Sequence, residues 1–377
     1  MSWEAVVGQE EAVAVLAQAA AHREAMTHAW LITGPPGSGR SVAARAFAAA
    51  LQSQGDPDSH AARTAFAGTH ADVRVHRSEK LIIAKEEATA LVDLAQQAPS
   101  TGAWRILIVE DADRISERTS NVLLKAIEEP PERTVWILCA PSPIDLLPTI
   151  RSRCRQVNLR IPPAQAVADL LVRRDGVEPE LALTCALAAQ SHIGVARRLA
   201  LHEDARAYRE QVLRIPGRIR GVGDAVLEAG GLIDAAKEQS KAATDDRDAA
   251  ERAAFLQSSG IDADGRIPPG LRSQLNHLEE EQKRRARRSL LDTLDRALVD
   301  LLSLYRDVIT VQLGAEVGLI NVREESQVRE LAGDSTAEQT LRRMRAITRT
   351  RDRFAEFTSI APQLALESLF IALRPQG

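Results

Sequence analysis

Short apolar runs alternate with helix-period segments through the first 160 residues of the chain. Runs at 29–33, 72–76, 104–109, 135–139 and 156–159 read as strands, being brief, rich in Val, Ile and Leu, and bounded by polar or turn residues. Between them, 40–52, 85–98 and 117–128 read as helices. Strands separated by helices predict a parallel α/β sheet covered on both faces. Pro162-Pro163 ends the pattern, and no strand signal of any strength returns after it.

The stretches 165–174, 179–190 and 194–202 predict a small three-helix unit, and Ile215-Pro216-Gly217 predicts a linker. From about 218 onward the periodicity is helical throughout, most clearly over 273–312, where Leu290, Leu291, Leu294, Leu298, Leu301 and Leu302 fall on one face. The charge run 279–285 predicts a solvated helix face rather than a DNA or acidic-partner contact. A loop is expected over 260–270, around Pro268-Pro269, and no internal repeat is visible. The expected division is 1–162, 163–215 and 216–377.

Composition narrows the class. A chain of 377 residues with 45% hydrophobic residues has material for two or three cores, and 3% aromatics makes those cores aliphatic. A net charge of −4 argues against an independent DNA binder, which carries a basic excess. Cys139, Cys154 and Cys185 are too widely spaced for a disulfide framework or a zinc motif. No apolar run approaches the length of a membrane span and no secretory signal opens the chain, so a cytoplasmic protein without a membrane partner is expected.

The chemistry concentrates in three places. Gly34-Pro35-Pro36-Gly37-Ser38-Gly39-Arg40-Ser41 follows an apolar strand and opens a helix. Its spacing is that of a phosphate-binding loop, in which inward N–H groups and a helix N-terminus cradle phosphate. A Gly/Pro turn without a ligand is the plainer alternative. Arg40 stands where such loops carry Lys, and its planar fork need not fit between phosphates as a compact ammonium does. ATP or ADP is therefore expected to bind weakly or without hydrolysis, with Ser41 and Glu110 as the residues for Mg²⁺ if nucleotide is bound.

The second place is the strand ending Ile108-Val109-Glu110-Asp111. Hydrolytic sites place Asp before Glu there, to order Mg²⁺ and polarise water. With the order reversed, Asp111 falls short by about 1.5 Å, the length of one C–C step. A shift of that size costs about 10²-fold in rate. The alternative is that the two acids merely cap the next helix. The third place is the end of the strand at 135–139, where only Ser142 is near instead of a water-positioning Asn or Thr. Beyond it, Leu146-Leu147-Pro148-Thr149-Ile150-Arg151-Ser152-Arg153-Cys154 carries an arginine placed to reach a neighbouring molecule's phosphate. An ordinary surface ion pair is the alternative for Arg153.

Together with Val7-Gly8-Gln9-Glu10 and Leu123-Leu124-Lys125-Ala126-Ile127-Glu128-Glu129-Pro130-Pro131, these segments resemble the delta-prime subunits of the bacterial DNA polymerase III clamp loader. In the last 160 residues the similarity is weaker, chiefly over 279–288. The resemblance implies an α/β AAA+ domain with a RecA-like parallel sheet, a three-helix lid and an all-α collar. It also implies a hetero-oligomeric ring with delta and gamma/tau subunits that opens the sliding clamp and places it on primed DNA. In that ring the chain is a stator, and Arg153 is its arginine finger in trans. The resemblance adds Val7 to the nucleotide-binding residues Gly34 to Ser41. It also makes Arg197, in Gly194-Val195-Ala196-Arg197, a lid contact to phosphate, with lid packing as the other possibility.

Family members often carry a four-cysteine zinc module after the loop helix. Here 52–63 has no cysteine and only His60, so no zinc is expected. Arg40, the Glu110-Asp111 order and the lone Ser142 jointly favour the stator over the alternative, an ATP-hydrolysing gamma/tau-like motor subunit.

Overall fold

The computed structural model describes residues 3–77, 82–258, 268–356 and 361–375. The chain divides into two compact units, Met1–Leu201 and His202–Gly377. In the first, five strands form one parallel sheet: β1 (Ala29–Thr33), β2 (Val73–His76), β3 (Arg105–Val109), β4 (Thr134–Ala140) and β5 (Arg155–Asn158). Their order is β2-β3-β4-β1-β5, so β1 lies between β4 and β5 and its carboxyl end opens at the point where the connections diverge. Strands β1, β3 and β4 are buried along their whole length, which is why the sequence shows them as unbroken apolar runs. The expected parallel α/β sheet covered on both faces is the one observed.

Helices α1 (Glu10–Ala21), α2 (Arg40–Gln52) and α3 (His60–Ala67) cover one face of the sheet. On the other lie α4 (Lys85–Ala95), α5 (Glu117–Glu128) and the short α6 (Pro148–Arg151). Alternate strand residues serve the two layers: Trp30, Ile32, Ile106 and Ile137 face α2, while Leu31, Leu107, Trp136 and Leu138 face α5. Helix α2 sits close to the sheet because Ala43, Ala44, Ala46, Ala48 and Ala49 are all buried, and Phe47 meets Trp30 edge to face at 5.0 Å between centroids.

One buried carboxylate fixes the turn between α4 and β3. Asp72 accepts from the N–H groups of Ser100 (2.8 Å), Thr101 (2.8 Å) and Gly102 (2.7 Å) and from both hydroxyls, at 2.9 and 3.1 Å. Arg105 pairs with it at 3.2 Å and donates to the carbonyls of Ala71, Gln97 and Ala98. Burial opposes ionisation of Asp72, yet these donors hold its carboxyl well below the usual carboxylate range. Helices α7 (Ala164–Asp175), α8 (Pro179–Ala188) and α9 (Ile193–Leu201) complete the unit where three helices were expected.

All regular structure among the described residues of the second unit is helical: α10 (Glu203–Arg218), α11 (Val222–Ser258), α12 (Pro269–Gln312), α13 (Glu325–Gly333), α14 (Ala337–Glu356) and α15 (Pro362–Ala372), with one turn of 3₁₀ helix before α13. Leu294, Leu298 and Leu301 of α12 are fully buried, with Leu290, Leu291 and Leu302 packed beside them, as the leucine spacing predicted. Two expectations give way. Residues 215–217 are not a linker but lie within α10, where Val212, Leu213, Ile215 and Pro216 form a buried stripe; that packing outweighs the roughly 3 kcal/mol a mid-helix proline costs. The charge run at 279–285 is only partly a solvated face, since Arg285 pairs with Asp248 and Glu251, and Glu279 with Arg252 at 2.9 Å, joining α12 to α11. Of the loop expected at 260–270, residues 260–267 lie outside the described residues and Pro269 already begins α12.

Candidate nucleotide site and the arginine after α6

The loop between β1 and α2 is curled tightly. Ser38 N–H donates to the Pro35 carbonyl at 3.1 Å, and Gly39 caps the helix, its carbonyl accepting from Ala43 N–H at 2.8 Å. Gly37 and Gly39 have φ of +87° and +92°, a region that side chains bearing Cβ avoid. Gln9 braces the loop from outside. Its Nε2 donates to the carbonyls of Arg160 (2.6 Å) and Ser38 (3.4 Å), and its Oε1 accepts from Arg160 N–H at 3.0 Å. Beside it, Val7 is buried. The Ser38 hydroxyl is buried and has no hydrogen-bond partner among the described residues.

His192, just ahead of α9, lies directly on the loop. A Cβ added to Gly37 would stand 2.6 Å from its Cγ and 2.8 Å from its Cα. Gly37→Ala is therefore expected to destabilise the first unit by roughly 1–3 kcal/mol through left-handed strain plus this collision. Gly39→Ala meets open space and should cost less. Urea unfolding followed by tryptophan fluorescence checks both, because Trp3, Trp30, Trp104 and Trp136, the four tryptophans of the chain, all fall in that unit.

Charges that a hydrolytic site would direct at nucleotide are engaged within the chain. Arg40 folds back, its Nη1 donating to the Gly34 carbonyl at 2.8 Å. Ser41 stands in the first turn of α2, and one turn later Arg45 Nη2 donates to Glu110 Oε1 at 3.1 Å. Glu110 retains only 10% of its side-chain exposure. Asp111 precedes a 3₁₀ turn without capping it through its side chain and lies 3.8 Å from Arg114. Burial pushes the Asp113 carboxyl up. As placed, the carboxylate expected to order Mg²⁺ is already neutralised by a guanidinium, and the Ser41–Glu110 pair does not fit the ion.

Ser142 is likewise engaged, its Oγ accepting from Ile144 N–H at 3.4 Å at the start of a 3₁₀ turn. Cys139, Cys154 and Cys185 are buried, and burial pushes the thiols of Cys139 and Cys154 up to about 12, which removes those two as nucleophiles. No described helix is long and apolar enough to cross a membrane.

Arg153 lies between α6 and β5, one third exposed. Its Nη1 donates to the Thr149 carbonyl at 2.8 Å and its Nη2 to Glu128 Oε1 at 3.1 Å, while its Nε is buried without a partner among the described residues. Arg197 on α9 donates to Asp175 Oδ1 at 2.9 Å and is half exposed. Burial opposes ionisation of Asp175, but donors from Arg174 and Arg197 hold its carboxyl below the usual range. The Arg45–Glu110 contact ties the helix that follows the loop to the acid that ends β3. Arg45 and His192 are not among the residues the sequence points to, and Gln9 appears there only within Val7-Gly8-Gln9-Glu10; the local trace of Arg45 is its i+4 spacing from Ser41.

A family model described as DNA polymerase III, delta subunit, matches residues 8–163, and one described as DNA polymerase III, delta subunit, C terminal, matches residues 272–374. The chain is 34% identical over 164 residues to the DNA polymerase III subunit delta′ of Pseudomonas aeruginosa, covering 41% of this chain and 50% of that one. It is 27% identical over 239 residues to the DNA polymerase III subunit tau of Bacillus subtilis, covering 61% and 41%. The match thus spans half or less of the length of these relatives. Among solved structures, a DNA polymerase III gamma subunit-related protein of Thermotoga maritima aligns over 96% of this chain and 98% of its own, at 16% identity and a TM-score of 0.46.

Proposed function

We propose, since this chain belongs to the DNA polymerase III delta-subunit family, that it is the stator of a cytoplasmic clamp loader. In this role it assembles with delta and gamma/tau subunits and helps place the sliding clamp on primed DNA. Arg153 is offered to the ATP of a neighbouring gamma/tau-type subunit, and the chain's own loop holds ATP or ADP weakly, without hydrolysing it. Residues 1–162 form the nucleotide domain and α7–α9, as far as Leu201, the lid; the boundary expected at 215/216 moves to 201/202 because α10 runs unbroken through it, and 202–377 form the collar that joins the ring. For Arg197, the Asp175 pair favours lid packing over a phosphate contact.

One observation carries this proposal. Arg40 is engaged by Gly34 and Glu110 by Arg45, so a loop shaped for phosphate has no free hydrolytic charges of its own. Such a subunit contributes to turnover through its neighbours. The motor reading draws support from the longer match to a tau subunit, and turnover by the isolated chain separates the two. The isolated chain is expected to hydrolyse ATP about 10²-fold or more slowly than a working site. Adding it to delta and gamma/tau-type subunits is expected to complete clamp loading. Brisk turnover by the monomer, or loading that proceeds equally well without it, would overturn the assignment.

A further inference from the structure

We propose that the loop of this chain binds its nucleoside di- or triphosphate as the metal-free anion, with Arg45 standing where Mg²⁺ stands in a hydrolytic site. This rests on reading the loop as a nucleotide cradle. In a metal-dependent cradle, the hydroxyl that follows the loop and the acid that ends the adjacent strand converge on the cation. Magnesium asks for near-octahedral oxygen ligands and gives up water reluctantly, so it needs at least one free carboxylate.

That carboxylate is not free. Glu110 is almost fully buried and its Oε1 receives Arg45 Nη2. Ser41 and Arg45 are four residues apart on α2 and share one face of it, so the guanidinium lies on the side of the helix where the metal would sit. Its other flank is confined as well, since a Cβ on Gly68 would lie 3.9 Å from Arg45 Cζ. A divalent ion brought to Glu110 would meet a fixed positive charge. Asp111 offers no substitute, because Arg114 faces it at 3.8 Å.

For an anion the same arrangement is favourable. Arg40 pairs with no carboxylate among the described residues, and Arg45 becomes available to an anion only in place of Glu110, where a metal-dependent site has one ammonium and one divalent cation. The buried Ser38 hydroxyl and Arg45 Nε have no hydrogen-bond partner among the described residues, which leaves unmet donor capacity there. Free ADP or ATP carries more negative charge than its magnesium complex and so competes better with Glu110 for Arg45 while also meeting Arg40.

The test is equilibrium binding of ADP and ATP to the full chain at constant ionic strength, in Mg²⁺ and in EDTA, for wild type, Arg45→Gln and Glu110→Gln. The wild-type Kd is expected to be equal or tighter in EDTA. In Arg45→Gln, EDTA binding weakens about tenfold and Mg²⁺ now tightens it. In Glu110→Gln, Mg²⁺ has no effect. Tightening of the wild type by Mg²⁺ of more than about threefold would overturn the proposal while leaving the cradle reading intact. Absence of binding in both buffers would overturn the cradle reading, and the proposal with it. An Arg45→Gln chain that folds and binds but gains no Mg²⁺ response would remove Arg45 from the cation's place. The wild-type comparison decides the matter even if that variant fails to fold.

Discussion

Arg153→Ala is expected to slow ATP turnover at the neighbouring site it serves by roughly 10³-fold or more, the lower end of what an inserted arginine supplies in GTPases, while the ring still assembles. The resting position of this side chain is compatible with the role in trans proposed above. It is neither loose nor locked: Glu128 and the Thr149 carbonyl hold it at 3.1 and 2.8 Å, with one third of it exposed. A surface ion pair of that kind is worth about 0–1 kcal/mol, so a γ-phosphate presented by a docked neighbour outbids Glu128 easily. Arg153→Lys should not rescue turnover, because the point charge of lysine lacks the planar fork. Single-turnover hydrolysis by the reconstituted ring, with size-exclusion chromatography to show assembly, provides the measurement. Turnover unchanged by Arg153→Ala would leave the Glu128 pair as the whole role of the residue.

Asp72→Ala is expected to destabilise the first unit by roughly 3–5 kcal/mol, the cost of stripping one partner from a buried, hydrogen-bonded ion pair. Three backbone N–H groups, two hydroxyls and the Arg105 guanidinium lose their shared acceptor together. The pH dependence follows from the lowered native carboxyl. An unfolded Asp titrates near about 3.9, so the contribution is complete above that value and drains away as the pH falls toward the depressed native one. Urea midpoints followed by tryptophan fluorescence should therefore differ widely between wild type and Asp72→Asn at pH 7 and converge on acidification. A gap that stayed constant down to acid pH would show that the charge contributes nothing.

Much of the first unit was legible in the sequence because a covered parallel sheet leaves a strong imprint. Strands β1, β3 and β4 are buried end to end, and nothing polar interrupts their runs. Helix α3 was missed, being eight residues of mostly small side chains whose start is set by the Ser59 cap rather than by periodicity. Proline misled at 216, where local propensity favours a break but the buried stripe of α10 decides. The loop, the acids and Arg153 could be placed from motifs, because each is contiguous in the chain. The partners of the acids and arginines could not. Arg45 meets Glu110 across 65 residues, Arg153 meets Glu128 across 25, and Gln9 reaches Arg160 across 151. Such pairings are created by the sheet order, which no short window of sequence contains.

The five alanines under α2 carry one more implication. A helix seated that low has no slack in which to tilt, and Gln9 braces the turn it grows from at Ser38. The curvature of 34–41 is thus imposed from beneath by the scaffold, and no guest is required to mould it. If the chain is the stator proposed above, a loop held in this way keeps its outline through every stage of the working cycle.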